Sequence, residues 1–409
     1  MQNRGTGIFK YLRGDKGIWY IMMVLSLLSI LAVYSATGLM AYRYQGGHTA
    51  YYVLKHVAIL TAAWITMFVV HRIKYTRFAK MSKLLIWPVI FLLLYTLTVA
   101  AVNDASRWIS IFGFTFQTSE LAKVVLVVYM ARVLTKYQPE IKESRSFWRI
   151  VWAPLVVCGL IFSENFSTAA LLMLTCVVLM MVGGVSGKHL GALMGAGVLA
   201  AGILVSICLA VPEDSLPGRL ATWKSRIEGF TSDSEEAYQV TQAKIAVATG
   251  GIIGKGPGNS TQRNFLPHPY SDYIYALIIE EYGMAVAIVV LFLYLWFLRR
   301  GISIARRCKG SFGSYVVLGM TFMLTLQALV NMGVAVDLLP VTGQPLPFLS
   351  MGGTSLLFTA LAVGIVLSVS ASVQEQEESE AMAPLRPKAA SSLSRARILQ
   401  PAAADGKPQ

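Results

Sequence analysis

The sequence predicts an all-α polytopic membrane protein with about ten transmembrane helices. Of its 409 residues, 55% are hydrophobic and only 14% are charged, whereas soluble domains carry about 25% charged residues. Ten apolar runs are also long enough to cross a bilayer, allowing for short or broken helices. They cover residues 17–39, 51–71, 82–103, 117–135, 148–163, 167–186, 190–211, 272–298, 312–334 and 349–372.

Positive charge is distributed unevenly between these runs. With the N-terminus in the cytoplasm, 25 of the 35 Lys and Arg residues fall in cytoplasmic segments, where such residues are in excess. Both termini are therefore predicted to be cytoplasmic. The chain divides into an N-terminal tail (1–16), a transmembrane domain (17–373) and a C-terminal tail (374–409). The transmembrane domain includes one large extracytoplasmic loop (212–271) between spans 7 and 8. The composition of the C-terminal tail predicts disorder.

Composition and spacing also exclude several function classes. The net charge of +14 follows from the topology, and no basic domain with a reading motif is present, so no nucleic-acid partner is expected. The four cysteines have neither zinc-ligand nor disulfide-framework spacing. The stretch GGIIGKGPG lacks the spacing of a phosphate-binding P-loop.

Asp272 lies where the large loop re-enters the membrane, in the sequence FLPHPYSDYIYALIIEEYG. Ionisable groups near bilayer depth are usually functional, although a helix-capping aspartate is the alternative. Glu280 and Glu281 follow so far along the span that an ideal helix separates them from Asp272 by about 12–14 Å. A glycosidase carboxylate pair needs about 5–9.5 Å. Asp272 must therefore act alone, with a metal ion, or with a residue from another span.

Two further groups of residues precede the large loop. Arg107 and Trp108 begin a short aromatic segment, which is either part of a site or an ordinary interfacial belt. Glu120 and Lys123 are three residues apart, so they share one face of a helix within the fourth span. They are expected to pair with each other or to flank a polar cavity.

Two more groups follow on the extracytoplasmic side. Arg219 and Lys255 are cations of the large loop, and nearby glycines would let backbone N–H groups approach a phosphorylated ligand; a solvated loop is the alternative. The segment LPVTGQPLPFLSMGGTS, residues 339–355, contains Ser350, Gly352 and Gly353. Its prolines and glycines predict a non-helical turn, which at membrane depth must line a cavity or be buried in protein.

These motifs resemble those of the SEDS family, the shape, elongation, division and sporulation proteins of bacteria, over nearly the whole chain except the tail. The resemblance rests on the Trp108 segment, on residues 117–123, on GGIIGKGPGNSTQ, on SDYIYA with EEYG, and on PVTGQPLPFLSMGGTS. Two positions differ from the family pattern. Thr118 replaces a proline, and His268 replaces a glutamate, which puts in doubt any role of that acid.

The resemblance implies a peptidoglycan glycosyltransferase that polymerises lipid II at the septum, in the bacterial inner membrane. The opening GDKGIW and LAVYSA resemble the division branch more than the elongation branch. The implied partners are a class B penicillin-binding protein, other divisome proteins and membrane lipid. A lipid II flippase and a scaffold that activates a transpeptidase are the alternatives.

The resemblance also implies roles for the residues singled out above. Asp272 is the expected general base and a candidate metal ligand, with Mg²⁺ or Mn²⁺ as the expected cofactor. The expected substrate-binding residues are Trp108, Arg107, Glu120, Lys123, Arg219, Lys255, Ser350, Gly352 and Gly353.

Overall fold

The protein is a helical bundle, for which a computed structural model describes residues 12–38, 42, 49–102, 108–111, 114–211, 224, 235–266 and 269–382. Its helices are α1 (Lys16–Ala36), α2 (Thr49–Val70), α3 (Tyr75–Val102), α4 (Thr118–Lys136), α5 (Ser144–Glu164), α6 (Phe166–Gly183), α7 (Gly187–Ala210), α8 (Glu235–Gly250), α9 (Ile274–Arg307), α10 (Ser311–Ala335) and α11 (Gly353–Met382). An antiparallel hairpin of β1 (Trp108–Ile111) and β2 (Phe114–Gln117) precedes α4.

Within the described part of the chain, nine helices are long and apolar enough to cross a membrane. They coincide with nine of the ten predicted runs, which confirms a multi-pass membrane protein. The remaining run, 117–135, forms α4, which is less apolar because it carries Glu120, Lys123, Arg132 and Lys136. Most of α4 is nonetheless buried among the other helices.

Local chemistry explains where the helices begin and end. Asp15 caps α1 by accepting a hydrogen bond from the backbone N–H of Ile18 at 3.1 Å, as N-cap residues do. Asn165 separates α5 from α6 with an extended backbone, and its side chain caps α6. Gly184 ends α6 in the left-handed conformation, which glycine adopts without steric cost.

The centre of the bundle is formed by α10 and α11, whose candidate spans are 72% and 78% buried, whereas α7 is only 6% buried and lies at the edge. A glycine brings α10 close to its neighbours. A Cβ atom at Gly319 would lie 2.6 Å from Val127 of α4 and 2.9 Å from Leu179 of α6. Small residues such as glycine let helices approach each other this closely in membranes.

Four ion pairs hold the start of α1 and the ends of α9 and α11 together at one end of the bundle. They join Asp15 to Arg300, Arg13 to Glu375, Arg307 to Glu377 and Lys309 to Glu380. The prediction that disorder begins at residue 374 is wrong for its first residues, because α11 continues as far as Met382. Residues 383–409 lie outside the described part.

The inward orientation of both termini remains a prediction that a reporter experiment can test. Reporters sensitive to compartment, fused after Gly187 and after Ser260, should report cytoplasm and exterior respectively, because the charge bias assigns these positions to opposite sides. A fusion after Lys309 is the control and should agree with the first reporter. Finding the first two on the same side would contradict the ten-span arrangement.

Candidate active site

Asp272 is partly buried and lies in the turn two residues before α9 begins at Ile274. The Ser271 hydroxyl donates a hydrogen bond to its Oδ1 atom at 2.9 Å. Its Oδ2 atom faces Gly343, where an added Cβ atom would lie 3.8 Å away. The carboxylate is thus oriented by a neighbouring hydroxyl and lies near the backbone of a residue that has no side chain.

The backbone around Asp272 is held by α10 and by the proline–glycine segment, our name for residues 339–355. The amide of Asn331 donates to the carbonyl oxygens of Asp272 at 2.9 Å and Gln344 at 2.7 Å. The Ser350 hydroxyl donates to the carbonyl of Ser271 at 2.6 Å. These bonds fix the residues that carry the carboxylate, a requirement for a preorganised site.

The proline–glycine segment is irregular backbone inside the bundle, so its carbonyl groups need partners from side chains. Three side chains from different helices donate hydrogen bonds to its carbonyl groups, and one side chain of the segment donates to a fourth helix. Gln327 donates to Pro345 at 2.8 Å, Ser29 donates to Leu349 at 2.7 Å, Tyr294 donates to Pro347, and Gln344 donates to Thr168. The segment is therefore an ordered wall next to Asp272, and the burial of most of its side chains agrees with the prediction that such a turn lines a cavity or is buried in protein.

Glu120 and Lys123 form a buried ion pair, as their spacing predicted. The Lys123 Nζ atom lies 2.8 Å from the Glu120 carboxylate, and each side chain is about one-twentieth exposed. Lys123 also donates to Gln327 at 2.8 Å, which itself supports Pro345. Ser355 donates to the other oxygen of Glu120 at 3.3 Å. The pair thus supports the wall of the site, and its contact with a substrate stays a prediction.

Lys255 contacts an acid that the sequence did not link to it. Its Nζ atom lies 2.7 Å from the buried carboxylate of Glu280, which also accepts hydrogen bonds from Ser260 and from the hydroxyl and N–H of Thr261. Glu281 accepts from Ser35 and from the N–H of Ser260. Both glutamates therefore anchor the loop after α8 to α9, a structural role. Contact of Lys255 with a phosphorylated ligand stays a prediction.

Glycines in this loop and in α9 allow the two backbones to pack closely together. Gly283 has φ 81° and ψ 169° and kinks α9. A Cβ atom there would lie 2.2 Å from the carbonyl oxygen of Ile252, and one at Gly254 would lie 2.3 Å from that of Glu281. The N–H groups of Lys255 and Gly256 donate to the carbonyls of Glu280 and Glu281, both at 2.9 Å. Because of the kink, these two carbonyl groups are available to partners outside α9, and the backbone N–H groups of the loop donate hydrogen bonds to them.

For the other predicted site residues, contact with a substrate stays a prediction. Trp108 begins β1, and Gly353 begins α11 next to Gly352. Ser350 contacts the backbone of Ser271, as described above. Arg107, Arg219 and His268 lie outside the described residues, so their roles remain predictions.

Asn331 and Gln327 are the main residues of the site that sequence reasoning missed. They are four residues apart on α10, so they share one face of that helix, and both are buried. Two amides at this spacing in an apolar span were the available signal, because buried polar groups need hydrogen-bond partners. Their partners lie in the proline–glycine segment and at Asp272.

The expected divalent cation stays a prediction, which the described residues can be compared with. Among the described residues, no three His, Cys, Asp or Glu side chains are grouped so that they could hold a metal ion. Mg²⁺ is commonly bound through one or two carboxylates together with substrate phosphates. Asp272 can supply such a carboxylate.

Comparison with known proteins agrees with this geometry. Residues 15–375 match the cell cycle protein family, which comprises the FtsW, RodA and SpoVE proteins. The chain belongs to this family. The match includes the whole of the candidate site and most of the transmembrane bundle.

Curated relatives match along nearly their entire length. A protein of Coxiella burnetii named probable peptidoglycan glycosyltransferase FtsW is 31% identical, over 90% of this chain and 99% of its own. Stage V sporulation protein E of Bacillus subtilis is 31% identical, over 86% of this chain and 95% of its own. The Bacillus subtilis protein named probable peptidoglycan glycosyltransferase FtsW is 30% identical, over 91% and 94%.

Solved structures show the same fold. The rod shape determining protein RodA of Thermus thermophilus has a TM-score of 0.62 at 22% identity, covering 87% of this chain and 96% of its own. A chain from a structure described as a peptidoglycan synthase complex that coordinates polymerization and crosslinking has a TM-score of 0.67 at 22% identity, covering 87% and 97%.

Proposed function

We propose that this protein is a peptidoglycan glycosyltransferase of the FtsW type, which polymerises lipid II into glycan strands. The observation that carries the proposal is the Asp272 carboxylate, oriented by Ser271 at a loop-to-membrane junction. A lipid-anchored sugar would meet the protein at such a junction. Family membership and the names of the curated relatives support the same activity.

Asp272 acts as the general base in this proposal. It accepts the proton of the acceptor hydroxyl while the hydroxyl oxygen bonds to the anomeric carbon of the donor sugar. The bond from that carbon to the pyrophosphate oxygen breaks, and the polyprenyl pyrophosphate leaves with the electron pair. A positioned base contributes typically 10²- to 10⁴-fold to such a step.

The leaving pyrophosphate needs positive charge. Lys123 and Lys255 are already paired with Glu120 and Glu280, so Arg219 is our first candidate for direct contact with the pyrophosphate. A divalent cation held by Asp272 and the substrate phosphates would supply further charge stabilisation.

The decisive experiment is lipid II polymerisation by the purified protein, with and without its partner. We propose that the partner is a class B penicillin-binding protein, bound in the inner membrane at the division septum. The structural likeness to a chain of a peptidoglycan synthase complex supports a partner of this kind. Glycan strands should form from lipid II, whereas a flippase or a scaffold would form none.

The partner is expected to bind through the membrane spans rather than the C-terminal tail. Truncation after Glu380 keeps the ion pairs of Glu375, Glu377 and Glu380, so α11 should stay docked. Co-purification with the partner and polymerisation should both remain at the full-length level. Loss of co-purification on this truncation would show that the tail carries the interface.

A further inference from the structure

A separate pocket lies at the opposite end of the bundle from Asp272, where α1 begins and α11 ends. Its volume is about 490 Å³. Three distant parts of the chain line it: Arg13, the turn at residues 71–74 after α2, and residues 368–375 of α11. The ion pairs that hold the ends of α1, α9 and α11 together lie beside it.

The lining of this pocket is positively charged. Arg13 is paired with Glu375 at 2.9 Å, so these two charges compensate each other. Arg72 lies 4.5 Å above the ring of Phe68, and Lys74 is exposed. Neither Arg72 nor Lys74 has a carboxylate partner among the described residues, so within that part of the chain the pocket carries two uncompensated positive charges.

The walls are ordered by contacts between helices. The His71 ring is buried, and its centroid lies 5.4 Å from the Trp19 ring and 5.1 Å from the Phe68 ring. Ser368 of α11 donates to the carbonyl of Ile73. The turn that carries Arg72 and Lys74 is therefore fixed against α1 and α11. The pocket thus has ordered walls, unlike a patch of basic side chains on a flexible surface.

We propose that this pocket binds a phosphate group, supplied by an anionic membrane lipid or by a soluble phosphate. Basic pockets between transmembrane helices recognise anionic lipid head groups, and arginine forms strong paired hydrogen bonds with phosphate oxygens. The pocket lies at the end that carries most of the basic residues, distant from Asp272, so it is independent of the proposed active site.

The test is thermal unfolding of the purified full-length protein in detergent, because a ligand that binds the folded state raises the midpoint. Phosphatidylglycerol is titrated as the anionic lipid, and phosphatidylcholine, which has no net charge, is titrated for comparison. In a second titration, inorganic phosphate is added at matched ionic strength. The Arg72→Gln/Lys74→Gln variant should weaken the apparent affinity about thirtyfold, from the loss of two cations near the membrane surface. Ser372→Trp should also weaken the apparent affinity, because the tryptophan side chain would fill the pocket without changing its charge.

The matched control is Lys80→Gln/Lys83→Gln, which removes two exposed cations of α3 that do not line the pocket. Its affinity should equal that of the unaltered protein. A response to phosphatidylglycerol alone supports the site with a lipid ligand, and a response to inorganic phosphate alone supports it with a soluble one. If neither ligand raises the midpoint, or if the control loses as much affinity as the pocket variants, the proposal is wrong.

Discussion

Replacing Asp272 with asparagine should reduce lipid II polymerisation by about 10²-fold or more, since a general base typically contributes about 10²- to 10⁴-fold. The asparagine keeps the size of the side chain and can still accept the hydrogen bond from Ser271. The hydrogen bond from Asn331 goes to the backbone carbonyl of residue 272, so the substitution leaves it unchanged. The variant should therefore fold and bind its partner normally, and only the chemical step should be lost.

The measurement is the initial rate of glycan formation from lipid II, together with the thermal midpoint of each protein. Asp337→Asn is the matched control: it removes the same charge from a surface pair with Lys244, in which the Asp337 side chain is partly exposed, and surface pairs contribute about 0–1 kcal/mol. Asp337 has φ 60°, a conformation that asparagine also tolerates. Polymerisation near the normal rate by a folded Asp272→Asn protein would exclude the mechanism and favour the flippase or the scaffold.

Replacing Lys123 with methionine should destabilise the protein by about 3–5 kcal/mol, because it leaves the buried Glu120 carboxylate without its cation. The Gln327 oxygen also loses its donor. Gln327 supports the Pro345 carbonyl, so polymerisation should fall as well. The free energy of unfolding and the polymerisation rate are measured on the same samples.

Two further variants separate the ion pair from general effects. Lys136→Met makes the same change at the exposed end of α4 and should alter stability by no more than about 0.5 kcal/mol. Glu120→Gln/Lys123→Met removes both charges and should recover part of the loss. Native stability and activity in the Lys123→Met protein would mean that the pair has no supporting role.

Several conclusions follow from the sequence alone. Hydropathy is a property of consecutive residues, so the apolar runs could be found without knowing how the helices pack. The prediction of the Glu120–Lys123 pair rests on the same local logic, because helix geometry determines which residues share a face. Asp272 was identified from its position between a polar loop and an apolar run.

Tertiary structure decided which polar groups meet. Lys255 is paired with Glu280, and Asn331 of α10 holds the backbone of Asp272. The sequence could not predict these pairs because hydrogen bonds between helices depend on which helices are neighbours and at what depth. The kink at Gly283 is also a matter of tertiary contact, since a Cβ atom there would meet the carbonyl oxygen of Ile252 in the loop after α8. A buried polar group must find a partner, and only the packed bundle determines which one is within reach.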